Sequence, residues 1–188
     1  MRRTGVVGKM AILGIIVAFA ALALAVPVLA QVSQEMKDAH KMMSDGWKMY
    51  NDGQRTVIKG KEMNDLVAVQ MGFKSEMAPG DRYIQDGRDT ITQAATLFGK
   101  GEKTAMDNMN SSSVAKQGLK MMSDAFKMAD DGSKMIEKGM TMNIKVAEAK
   151  GAIEKFAQGN QVINDGRTTM SQGAQLFMQG EAIVLKIP

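Results

Sequence analysis

Methionine is where chemistry would be sought first in this chain. There are 19 methionines, one histidine and no cysteine. Met36, His40 and Met43 fall at i, i+4 and i+7, which is one face of a helix. Met42 and Met49 lie beside them, and Met121, Met122 and Met128 recur in the same pattern further on. Thioethers are soft ligands that select Cu(I), and by the same softness Ag(I). A cysteine-free exported protein could hold either ion with these eight side chains. The competing reading needs no metal, because methionine is flexible and fills irregular cores. A haem held by His40 and a methionine across a bundle would be non-covalent, since no Cys-x-x-Cys-His occurs.

Other site chemistry is sparse. Asp-Gly-Arg occurs at 86–88 and again at 165–167. Its place near the start of a helix suits the aspartate on dipole grounds. Arg88 and Arg167 are expected to pair with acids on a neighbouring hairpin, with anion binding as the alternative. The glycines are spaced along the chain and not clustered, so there is no phosphate-binding loop. No Glu-x-x-His marks a di-iron bundle, and no calcium loop appears. These features point to a protein that is not an enzyme.

The elements that carry these residues are written twice. Residues 40–102 align without a gap onto 119–181 at a constant offset of 79, and close to half the positions are identical. Lys-Met-Met-Ser-Asp appears at 41–45 and 120–124, Met-Asn at 63–64 and 142–143, and Leu-Phe at 97–98 and 176–177. His40 is not duplicated, since its counterpart is Leu119, and as a lone histidine it is expected at the surface. A polar stretch, 107–113, joins the copies. Within each copy Ala78-Pro79-Gly80-Asp81 or Ala157-Gln158-Gly159-Asn160 reads as a break, with Asp81 or Asn160 capping the next helix.

Small residues recur every seven positions: Gly46, Gly53, Gly60; Gly87, Ala94, Gly101; Ala125, Gly132, Gly139; Gly166, Gly173, Gly180. With apolar residues three and four places on, this is the buried stripe of a bundle helix. Trp47 to Ile58 also resembles a β-hairpin around Asp52-Gly53. The second copy decides for helix: Tyr50 becomes Ala129, and Ile58 becomes Glu137 at an outward position. Glycine inside a helix costs roughly 1 kcal/mol against alanine. The row of ten glycines therefore implies a return, either close backbone approach or room for a flat ligand. The seam predicts that leucine at Gly53 would overpack, and that alanine is tolerated if the helices have slack.

The expected fold is all-α: four long helices, near 34–63, 82–104, 114–142 and 161–184, from two tandem helical hairpins with Gly/Ala heptad seams. The stretches 65–77 and 144–156 either extend the first and third helices or form short separate ones. Residues 31–108 and 109–188 are the two hairpin repeats. Arg2, Arg3 and Lys9, an apolar run over 10–26 and a small residue at Ala30 read as a signal peptide cut after residue 30. The chain carries 24 Lys+Arg against 20 Asp+Glu, and three of the basic residues lie in that signal, so the remainder is near neutral at +1. Nothing there recommends nucleic acid as a partner. The expected product is periplasmic or extracellular and has no stable membrane span once the signal is removed. It acts by binding or self-assembly, homo-oligomers through the same seam included. The alternative is a soft-metal Cu(I) or Ag(I) binder of the cell envelope.

Overall fold

The computed structural model describes the backbone of residues 7–109 and 111–187, and burial over 34–187 except at Asn110 and Ser112. The signal-peptide reading of residues 1–30 lies outside the residues described in full. Four helices follow in order: α1 (Val7–Gln70), α2 (Ala78–Asp107), α3 (Ser112–Ala149) and α4 (Ala157–Val184). Among the described residues there is no strand, and Trp47 to Ile58 is helical throughout. No helix among the described residues is long and apolar enough to cross a membrane.

The two undecided stretches do both things. α1 and α3 extend to Gln70 and Ala149, and each is followed by a separate 3-10 turn, Lys74–Met77 or Ile153–Phe156. The helices stop at glycines whose role the sequence reading missed. Gly72 and Gly151 have φ of 79° and 64°, a conformation that a Cβ disfavours. Beyond them, the Phe73 N–H donates to the Ala68 carbonyl at 3.1 Å, and the Ala152 N–H to that of Ala147 at 2.8 Å. This closure turns Phe73 and Ala152 inward, where both are buried.

The expected breaks at Gly80 and Gly159 need correction. α2 starts at Ala78 with Pro79 in its first turn, as suits a residue without an N–H, and α4 starts at Ala157. The residues preceding them, Met77 and Phe156, make no side-chain cap. Asp81 and Asn160 therefore lie inside the helices and do not cap them, and Asp-Gly-Arg sits in the third turn.

The pairing of helices also differs from tandem hairpins. Tight contact joins α1 to α4 and α2 to α3, while α1 barely touches α2 and α3 barely touches α4. Each copy thus lends one helix to each pair. The glycines explain how closely each pair packs. A Cβ built on Gly46 would meet the Gly173 carbonyl oxygen at 2.6 Å, one on Gly53 that of Gly166 at 2.6 Å, and one on Gly60 that of Gly159 at 2.5 Å. Gly180 faces Ala39 in the same register. Each step of seven up α1 is a step of seven down α4. In the other pair Gly80 faces Gly139, Gly87 faces Gly132 and Gly101 faces Gly118, with buried Ala94 and Ala125 at the remaining level. Gly80, Gly118 and Gly159 extend the row by one heptad beyond the sequence reading. At Gly80 and Gly159 the carboxamide oxygens of Asn143 and Asn64 occupy the space a Cβ would need.

The copies meet on a local two-fold axis, and counterparts touch across it. Trp47 lies 6.4 Å from its counterpart Phe126, and Phe98 lies 6.3 Å from Phe177. These rings form one core cluster with Met43, Met122, Leu119 and Tyr50. Two tyrosines cannot share the axis, so the counterpart of Tyr50 is Ala129. The Tyr50 hydroxyl donates to the Ala129 carbonyl at 3.3 Å and shares a short hydrogen bond with Ser133. Burial pushes that phenol up to about 12, against the smaller opposing effect of the Ser133 hydrogen bond.

Candidate functional site

A cleft of about 420 Å³ opens between α1 and α2. Asn51, Gln54, Arg55, Ile58, Lys59 and Glu62 supply one wall at three- and four-residue steps, and Arg88, Ile91, Thr92 and Ala95 supply the other. The sparse packing between α1 and α2 is what leaves the cleft open. Its floor is apolar at Ile58 and Ile91, both partly buried, and its rim carries Arg55, Lys59, Glu62 and Arg88, with Arg55, Lys59 and Arg88 exposed or nearly so. Three cations against one acid give the lining a formal charge of +2.

The second copy provides an internal comparison, because the counterparts of all three cations are Lys134, Lys138 and Arg167. There each cation has a partner. Lys134 pairs with Asp130 at 2.6 Å and with Asp131 at 3.3 Å. Lys138 stands 4.3 Å above the Tyr83 ring. Arg167 Nε lies 3.3 Å from a Glu137 carboxylate oxygen. In the first copy the acid at 130 becomes Asn51 and the acid at 137 becomes Ile58, while Tyr83, which the first copy lends to Lys138, has Val162 as its counterpart in the second. Arg55 keeps only Asp52, at 3.4 Å between exposed side chains. Three cations are retained and three partners are removed. Arg167 does find an acid as expected, but Glu137 belongs to its own copy and not to the neighbouring one.

The thioether set is divided among several places. Met43 and Met122 are at most 1% exposed within the aromatic cluster, and Met128 packs at its margin. Met36 is fully buried elsewhere, against Ala115 and Ile187. Met42, Met49 and Met121 are partly buried. His40 departs from the expected surface position: its side chain is 14% exposed, 3.9 Å from Glu102. Burial holds its imidazole below the usual histidine range, against the opposing pull of Glu102. Glu102 also accepts from the Ser44 hydroxyl at 2.7 Å, and the second copy repeats this bond between Ser123 and Glu181.

A second polar cluster lies where α1 meets the start of α2. Lys61 reaches Asp65 and, at 3.1 Å, Asp81, and Lys74 reaches Asp65 at 2.7 Å and Asp81. Asn143 donates to Asp81 at 2.8 Å, as Asn64 donates to Asn160 at 2.9 Å. The group is neutral and internally paired. Burial works against the Asp81 charge, but Lys74, Asn143 and Lys61 outweigh it and hold the carboxyl below its usual range. Burial likewise opposes the Lys74 charge, and its bonds to Asp65 and Asp81 outweigh that and raise it. The counterparts are Met140, Ile144, Ile153 and Asn160, so the whole set is replaced together.

Within the cleft, the Asp-Gly-Arg motif marks Arg88 in the sequence, and no motif marks the rest of the lining. The available signal was the Ile58–Glu137 difference between copies, which otherwise serves only to decide for helix. No family model, characterised protein or solved structure matches the chain.

Proposed function

We propose that this is an exported, non-catalytic helical bundle that works by binding, with the α1–α2 cleft as its binding surface. The observation that carries the reading is the contrast between copies. The interior is held in common: small seam residues, Ser–Glu bonds and the buried asparagines at 64 and 143 recur. The cleft lining diverges, and in one copy it has lost the partners of cations it keeps. Loss of these partners leaves charge and apolar surface available to a ligand. The seam glycines are already engaged within the chain, which favours binding over self-assembly through that seam. The reading of residues 1–30 as a signal puts the binding outside the cytoplasm.

Native mass spectrometry of the chain recovered without denaturation from the cells that make it tests this. A small-molecule adduct is expected on the wild-type protein and should disappear in Ile58→Glu, which restores the acid of the second copy. An adduct that survives this change, or no adduct at all, overturns the reading.

A further inference from the structure

We infer that the first cleft takes a free amphiphilic organic anion, a carboxylate or sulfonate on a short apolar body; this rests on the cleft being the binding surface. The choice turns on what each lining residue can recognise. The side chains of Lys59 and Arg88 have no ionic or hydrogen-bond partner among the described residues, although their counterparts are engaged. Guanidinium presents a planar fork that matches two oxygens of an oxyanion. Ile58 and Ile91 offer the apolar contact, and Ile58 stands at the position where the second copy places its neutralising carboxylate. An anion seated beside Arg88 would replace that carboxylate, while its body would cover the two isoleucines. Glu62 is the single acid on the lining, so the balance still favours an anion over a cation or a neutral amphiphile. The cleft volume lies in the range of small-molecule sites.

Isothermal titration of the full chain with decanoate, and separately with decanol, separates charge from apolar contact. One equivalent of decanoate should bind, with decanol at least tenfold weaker. Ile58→Glu and Arg88→Gln should each weaken decanoate at least tenfold, and Lys138→Gln in the second copy should weaken it less than tenfold. Ile58 and Arg88 are at least partly exposed, and unchanged helical circular dichroism establishes that both variants are folded. The inference fails if decanoate does not bind, or if decanol binds within tenfold of it. It also fails if either cleft variant loses less than tenfold, or if Lys138→Gln loses as much as they do. Co-sedimentation with phosphatidylglycerol vesicles that depends on Arg88 would replace the free ligand with a membrane surface. If decanoate fails while the native adduct is still lost in Ile58→Glu, the ligand class is wrong and the binding reading stands.

Discussion

Alanine at Gly53 and alanine at Gly99 should move stability in opposite directions. Both glycines lie inside helices, so both substitutions bring the same propensity gain, roughly 1 kcal/mol. A Cβ at Gly99 meets nothing within 4 Å. That variant should gain about the full amount, a rise of ~2–4 °C in melting temperature for a domain of this size. A Cβ at Gly53 would lie 2.6 Å from the Gly166 carbonyl oxygen, the Met170 amide nitrogen and the Met170 Cγ. The first two are backbone atoms and cannot turn aside. That is about 0.8 Å inside the 3.4 Å at which ordinary contact begins, so α1 and α4 must part by a similar amount. A gap of ~0.5–1 Å forfeits a quarter to a half of each dispersion contact, and the levels at Gly46 and Gly60 open with it. Overpacking costs ~1–3 kcal/mol, and against two backbone atoms the upper part of that range, ~2–3 kcal/mol, outweighs the propensity gain by about 1–2 kcal/mol. The expected melting temperature falls by ~2–8 °C. Thermal melts followed by circular dichroism read both variants. If Gly53→Ala melts above the wild type, as Gly99→Ala should, the two helices have slack and the close-approach argument is wrong. The structure has already removed the slack that the sequence reading allowed at this position.

Two further outcomes rest on the titratable groups. Burial lowers the affinity of folded His40 for its proton, so the proton is taken up more readily in the unfolded chain, whose value is near 6.5. Stability should be full above that pH, should fall as pH drops below 6.5, and should level off beneath the folded value. Melts between about pH 7.5 and 5.5 should show this decline, and His40→Leu, the residue of the second copy, should remove it; a slope that persists in the variant assigns the effect elsewhere. For the Lys61–Asp65–Lys74–Asp81 group, Lys74→Ile alone should cost about 1–3 kcal/mol by leaving two half-buried carboxylates to one lysine. Replacing all four with Met, Ile, Ile and Asn should restore or exceed wild-type stability, and a quadruple variant weaker than the single one would refute that account.

Much of the fold was legible because the chain states it twice. Period seven persisted through four segments, and the second copy ruled out the hairpin around Gly53 by placing Glu137 outward. What could not be read was which glycine row faces which. Any two helices carrying the same seven-residue row are complementary on that pattern, so short connections suggested pairing within a copy. The rows do not prefer it. α1 begins its seam at Ala39 and α4 ends its own at Gly180, and the antiparallel pair across copies brings all four levels into register. Gly80 and Gly159 were misread for a related reason. Beside proline or a polar residue, glycine resembles a breaker, whereas each here supplies the space for a buried asparagine on the facing helix. His40 was misread because a lone histidine carries no periodic signal of its own. Its counterpart Leu119, which is 1% exposed, was the available sign of an inward position.

The divergence between copies follows the constraint on each position. On the seam, a change in one copy must be met by the backbone of the other, so only glycine or alanine is kept, with Ala125 and Ala94 standing where the other copy has Gly46 and Gly173. On the axis, counterparts compete for one volume, so the copies must differ, and Tyr50 against Ala129 is the result. Away from both, differences arise in sets. Four charges at 61, 65, 74 and 81 give way together to neutral residues, since a partial exchange would strand a half-buried charge. The α1–α2 cleft breaks this rule. Its three cations remain while the acid at 137, the acid at 130 and the ring at 83 all lose their counterparts. Structural pairing alone would have removed the cations as well, as it did at 61 and 74. Their retention is the physical reason for assigning them a negative partner from outside the chain.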